Sequence, residues 1–178
     1  MTLPPPAPNV ENMAQDNDSI RRAGPADAPA IARIHRIALR GALPHLPDLH
    51  TPEEDLAFFR DRVLARCDVW VAADGEGMVV GFCGLREGWI EHLYVAPSHQ
   101  GRGVGSRLLR RAIALQPSVQ LWTFQRNARV RRFYERHGFV AVTETDGCGN
   151  EEKEPDILYA WSRQSNETAD RTSSDAGI

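Results

Sequence analysis

The sequence predicts an α/β domain, a mixed β-sheet with helices on both faces. Two observations lead there. Hydrophobic periodicity switches between strand-like alternation and helical spacing, in the order β-α-α-β-β-β-α-β-α-β-β. The chain has 178 residues, 42% of them hydrophobic, enough to bury one core without disulfide or metal staples.

Residues 20–23 form the first predicted strand, stopped by Gly24-Pro25. A helix over 26–40 follows, with Ile31, Ile34 and Ala38 on one face and Arg33, Arg36 and Arg40 on others. Residues 41–50, with Pro44 and Pro47, form an irregular connection. Thr51 opens a second helix with a capping box: Thr51 at the cap, Pro52 first, Glu54 third. Its apolar stripe is Leu56, Phe59 and Val63. Residues 69–73 and 78–85 predict a hairpin around Asp74-Gly75-Glu76-Gly77, and 89–95 a third strand closed by Pro97. A helix over 103–115 aligns Val104, Leu108, Leu109, Ala112 and Ile113. A strand over 119–124 leads to a helix over 128–137, ended by Gly138 as a left-handed cap. Strands over 139–143 and 157–161 complete the domain.

Residues 1–18 and 164–178 hold too little apolar surface to offset chain entropy, so both are expected to be disordered, leaving 19–163 as the folded domain. No stretch approaches the roughly 18 apolar residues of a spanning helix, and residues 1–18 carry no signal-peptide core. Cys67, Cys83 and Cys148 have neither zinc nor disulfide spacing. A cytoplasmic protein without a metal is expected, with no membrane association.

The net charge of −3 conceals two opposed runs. Arg102–Arg136 holds nine arginines against one acid, Glu135, a net of +8. Glu144–Asp156 holds six acids against Lys153, a net of −5. The first suits a phosphate-bearing ligand and the second a cationic one; the alternative is two solvated faces.

The densest motif is Gln100-Gly101-Arg102-Gly103-Val104-Gly105-Ser106-Arg107, between a strand and the next helix. Its three glycines permit positive φ and close approach of a ligand, and the helix N-terminus adds unpaired amides. Together they predict an anion site suited to a pyrophosphate, with Arg102 and Arg107 adding charge-assisted bonds. Walker A is excluded because no Lys follows the glycines, and the dinucleotide fingerprint because the spacing is GxGxG rather than GxGxxG.

These residues resemble the GNAT superfamily of N-acetyltransferases. The matching segments are Leu93-Tyr94-Val95-Ala96-Pro97, Gln100 with Gly103 and Gly105, Asn127, and Phe133-Tyr134-Glu135-Arg136-His137-Gly138-Phe139. The resemblance spans about residues 20–162, nearly all of the predicted domain. It implies a splayed central sheet in which the strand 89–95 carries a bulge and parts from the next strand. It implies acetyl-CoA as donor, its pantetheine arm bonded to backbone near Leu93 and Val95. The turn Arg102–Ser106, with Val104, would hold the pyrophosphate, and Asn127 the pantetheine end. Tyr134 would be the general acid.

The expected chemistry is direct attack of a primary amine on the thioester, through a tetrahedral intermediate, with Tyr134 protonating the CoA thiolate. The alternative for Tyr134 is a core aromatic. Strand alternation puts Glu91 on the face of Trp89, Leu93 and Val95, where it acts as base directly or through water; the alternative is a water held by backbone carbonyls. His92 is expected packed or paired on the other face. Three segments are expected to line an acceptor pocket: 41–50, 89–95 and 144–156. Glu151 and Glu152 in the last are candidates for a small cationic amine, or a peptide amine. A homodimer is compatible with such a fold. The rival readings are a non-catalytic acyl-CoA sensor and a nucleic-acid-binding module using the arginines, though no nucleic-acid motif accompanies them.

Overall fold

The computed structural model describes residues 19–46, 48–114 and 116–163; both predicted tails lie outside the described residues. The strands are β1 (Ser19–Arg22), β2 (Asp68–Ala73), β3 (Val79–Arg86), β4 (Trp89–Val95), β5 (Ser118–Phe124), β6 (Val140–Glu144) and β7 (Asp156–Ser162). The helices are α1 (Ala28–Ala42), α2 (Pro52–Phe58), α3 (Leu64–Arg66), α4 (Val104–Ala114) and α5 (Ala128–Arg136). One mixed sheet runs β1-β2-β3-β4-β5-β7-β6, antiparallel except where β4 meets β5.

Each face of the sheet buries a different set of helices. Ile31, Ala32 and Ile34 of α1, with Phe59 and Val63, pack on Val69, Val71 and Phe82. On the other face Val104, Leu108, Leu109 and Ala112 of α4, with Tyr134 of α5, pack on Cys83, Leu85, Ile90, Leu121 and Tyr159. The α/β architecture with helices on both faces is as predicted.

Local chemistry explains where elements begin. The expected helix over 26–40 starts as a 3₁₀ turn, Pro25–Asp27. Asp27 folds back to accept from the Gly24 amide at 2.8 Å and from Arg21 at 2.8 Å, which holds its carboxyl below the usual carboxylate range. The capping box forms as read: Glu54 N donates to Thr51 Oγ1 at 3.2 Å and Thr51 N to Glu54 Oε2 at 2.7 Å. The second helix is not uniform, however. After α2 it widens into a π-helical stretch, Phe59–Val63. Phe59 is then fully buried while neighbouring Phe58 stays 45% exposed.

β4 departs most from the expected alternation. Gly84 pairs with His92 and Leu85 with Ile90, so Glu91 is an extra, unpaired residue, a β-bulge. The bulge puts Ile90 on the α4–α5 side with Leu93 and Val95. Glu91 therefore does not share the face of Leu93 and Val95. Its carboxylate accepts from Cys67 and Arg86 toward the α1–α2 side. Simple alternation fails here because one residue is inserted on one strand only.

Gly81 on β3 sets how closely α4 can lie on the sheet. A Cβ there would sit 3.1 Å from the Tyr94 carbonyl oxygen and 3.2 Å from side-chain carbons of Val104 and Leu108. Gly81→Ala is expected to cost about 1–3 kcal/mol by overpacking. It should lower the urea midpoint at unchanged slope, which chemical unfolding measures.

Candidate active site

Among the described residues, the β4–β5 ladder consists of the one pair Trp89–Gln120. Beyond it the strands part, as the resemblance implied. Ala96 N donates to Val80 O at 2.8 Å, so the hydrogen-bonded pairs of the β3–β4 ladder fall on Ala96, Tyr94 and His92. Leu93 and Val95 accordingly turn their backbone groups toward the gap. Gln100 Nε2 donates to the Val95 carbonyl at 3.0 Å, and Arg129 donates to Gln100 Oε1 at 3.1 Å. The amide and carbonyl of Leu93 and the amide of Val95 remain to face a ligand.

The glycine-rich turn closes one end of this cleft. Gly101 and Gly103 have φ of 79° and 84°, which only glycine adopts without strain. Gly105 does not share that role: it lies in the first turn of α4, where a Cβ would touch Phe133 and Val95 at 3.6–3.7 Å. Val104 is 1% exposed and anchors the N-terminus of α4 in the core. Ser106 follows half-buried, Arg102 is exposed, and Arg107 folds back beside Gly103. Asn127 Oδ1 accepts from Val130 N at 3.3 Å and caps α5. Backbone donors, a positive-φ turn and a helix N-terminus in one cleft fit acetyl-CoA.

Tyr134, on α5, is 6% exposed, yet its hydroxyl makes no hydrogen bond among the described residues. Buried Tyr159 shows the contrast, donating to Glu135 Oε1 at 2.6 Å. Burial raises the Tyr134 phenol well above its ordinary range, with smaller contributions from Cys83 and Tyr94. Its ring packs in the same core cluster as Cys83, the ladder partner of Leu93.

A cavity of about 380 Å³ opens on the opposite face of β4, lined by all three expected segments. Its wall carries six carboxylates, Asp48, Glu54, Asp55, Glu91, Glu151 and Glu152, against Arg36 and Arg40. Arg36 bonds Asp55 Oδ2 at 2.7 Å and Arg40 bonds Asp48, so both guanidiniums are neutralised within the wall. Glu91 receives Arg86 Nε at 2.7 Å and Cys67 Sγ at 3.3 Å. Glu151 lies 3.2 Å from His50 Nε2. Glu152 has no bonded partner among the described residues and faces Tyr94, whose phenol is pushed up to about 12, first by burial and then by Glu152.

His92 packs, as expected, on the face away from Leu93 and Val95, in a ring cluster with His35, Phe59 and Tyr94; what sequence reasoning missed is that His35 and His92 both line the cavity. Burial lowers both imidazoles, His92 to about 4, so they stand neutral at pH 7. Strand alternation with Tyr94 gave the face of His92, whereas the meeting of His35 with it depends on how α1 packs, which no local pattern shows.

The two charge runs are largely wired into the fold. Arg111 stacks over Trp70 at 4.0 Å, Arg129 holds Gln100, and Arg131 donates to Gln125 O at 3.3 Å. In the acidic run Asp146 accepts from Cys148 N, and Asp156 accepts from Asn150 Nδ2 at 3.1 Å.

Residues 65–141 match the acetyltransferase (GNAT) domain. A probable N-acetyltransferase of Mycobacterium tuberculosis is 33% identical over 144 residues, 71% of this chain and 82% of that protein. The chain belongs to the GNAT acetyltransferase family. As a GNAT protein it is an acetyl-CoA-dependent N-acetyltransferase. Other relatives carry different acceptors in their names. The peptidyl-lysine N-acetyltransferase YiaC of Escherichia coli is 27% identical over 69% of this chain and 84% of its own. An aminoglycoside N(6')-acetyltransferase of Stenotrophomonas maltophilia is 33% identical over 79% and 91%. Among solved structures, the Salmonella typhimurium acetyltransferase yncA with acetyl-CoA superposes with a TM-score of 0.63 at 24% identity, covering 82% of this chain and 94% of that one.

The neutral histidines give this GNAT domain a pH signature. His92 binds its proton near pH 6.5 when unfolded and only near 4 when folded, so stability falls as pH drops through that window. The loss is on the order of 3 kcal/mol. Unfolding free energies across the window should decline less steeply in His92→Phe than in the wild type.

Proposed function

We propose that this GNAT enzyme acetylates a small cationic amine by direct attack on acetyl-CoA, with Tyr134 as general acid. The Tyr134 hydroxyl carries this reading: its ring is buried, yet the oxygen has no protein partner among the described residues and is left to donate to a ligand. Acetyl-CoA supplies the acyl group as an activated thioester. Leu93 and Val95 bind the pantetheine arm through their backbone groups, and the side-chain nitrogen of Asn127 adds a donor. The turn from Gly101 to Ser106, with Arg102, takes the phosphates, and Gln100 holds that turn on β4.

Backbone donors near Val95 face the negative charge that develops on the carbonyl oxygen. The C–N bond forms first, giving a tetrahedral oxyanion; its collapse breaks the C–S bond, and Tyr134 gives its proton to sulfur. Burial keeps the Tyr134 phenol protonated until the thiolate departs. The proton shed by the new amide nitrogen restores the phenol. Before attack, Glu91 takes the ammonium proton through a water in the cavity, where Arg86 and Cys67 hold its carboxylate.

Glu152 is the acceptor's anchor, the wall carboxylate without a bonded partner among the described residues. Glu151 contributes to the field but is engaged by His50. The aminoglycoside and lysyl amines named for the relatives are cations of the kind this wall favours.

An amine panel of polyamines, aminoglycosides, amino acids and lysyl peptides, assayed by CoA-thiol release, tests the function. Tight CoA binding with no turnover on any member would favour the acyl-CoA sensor. Tyr134→Phe loses no hydrogen bond to protein and is expected to fold normally while kcat drops about 100-fold. Full turnover at saturating substrate would overturn the acid role. Glu152→Gln is expected to raise KM for the cationic acceptor about tenfold with little change in kcat.

A further inference from the structure

Glu154 belongs to the acidic loop yet lines no part of the acceptor cavity. It is 8% exposed, and each of its oxygens reaches a different loop. Oε2 lies 3.2 Å from His45 Nε2, in the segment between α1 and α2 that gives Leu43 and Leu46 to the cavity wall. Oε1 lies 3.0 Å from Arg126 Nε, one residue before Asn127, the cap of the helix that carries Tyr134. A carboxylate accepts at both places, so it ties the acceptor wall and the donor-side turn to one point.

That point has little freedom to move. Asn150 Nδ2 donates to the Glu154 carbonyl at 2.8 Å, and Glu154 N donates to Asn150 Oδ1 at 3.2 Å. Gly147, at φ 79°, closes on the same peptide so tightly that a Cβ would stand 2.4 Å from the Glu154 carbonyl. The donor-side turn is fastened to the same loop a second time, by Gln125 N to Pro155 O at 2.9 Å.

We propose that Glu154 is a positioning residue that couples the two substrate sites, so that CoA binding orders the acceptor wall. With the Glu154 backbone already fixed, the coupling runs through its carboxylate: ordering the Arg126–Asn127 turn holds Oε1, and the same carboxylate then holds His45 and the wall beside Leu43 and Leu46. By linkage, an acceptor on that wall tightens CoA to the same degree. The inference rests on the proposed placing of the donor at Asn127 and the glycine turn.

Amide hydrogen exchange on the full chain tests it, with CoA as the probe and no acceptor required. In the wild type, CoA is expected to slow exchange at residues 102–107 and also, about fivefold or more, at the Leu46 amide, which bonds Leu43 O at 3.1 Å. In Glu154→Gln, and independently in Arg126→Gln at an exposed side chain, slowing at 102–107 should persist while slowing at Leu46 disappears. A merely structural Glu154 would change exchange equally with and without CoA. Slowing at Leu46 that survives in either variant, or that is absent in the wild type while present at 102–107, overturns the coupling. Absence at both places in the wild type overturns the donor-site reading, and the coupling with it.

Discussion

The site depends on one place where the sheet stops being a sheet. β4 and β5 are neighbours, but after Trp89 and Gln120 they no longer pair. Backbone groups left without partners inside a protein are costly, about 1–3 kcal/mol each. In the proposed donor site they are presented to a ligand. Everything around the gap serves that presentation. Gln100 takes up the Val95 carbonyl, the turn at Gly101 and Gly103 bends the chain back, and Val104 fixes α4 against the core. α5 packs Tyr134 into the core beside α4.

The bulge at Glu91 divides β4 between two tasks. Leu93 and Val95 present backbone to the gap and side chains to the α4–α5 core. His92 and Tyr94 present rings to the α1–α2 side, where the acceptor cavity lies. One strand thus separates a donor cleft built of backbone from an acceptor cavity built of side chains. The distinction follows from what is recognised: a pantetheine arm is an amide chain that pairs like a strand, whereas an ammonium requires charge and aromatic surface.

Most of the fold was legible in the sequence, including the strand and the glycine turn on which the donor site is proposed. Strand β4 has the expected bounds, and the capping box at Thr51 and the left-handed Gly138 at φ 81° fall where local chemistry put them. These features depend on neighbours in sequence. What could not be read depends on distant partners. The π-helical stretch at Phe59–Val63 answers to packing against Phe82 and His92. The face of Glu91 hangs on a residue inserted opposite β3. Charge counts misled in a related way. The run from Glu144 to Asp156 reads as six equivalent acids, yet the fold consumes Glu154 and Asp156 internally and leaves Glu152 to the cavity. A carboxylate's partner decides its role, and the partners lie far away in sequence.

The π-helical stretch that turns Phe58 outward has a consequence for how such an enzyme can diverge. Phe58, Glu152 and the segment around Leu43 and Leu46 reach the cavity from helix ends and loops, not from the strands. Substitutions among them would reshape the acceptor cavity while the β4–β5 seam and the glycine turn stay intact. Donor chemistry can therefore be inherited unchanged while acceptor choice drifts. The limit to that drift is set by whatever must keep the two halves in register.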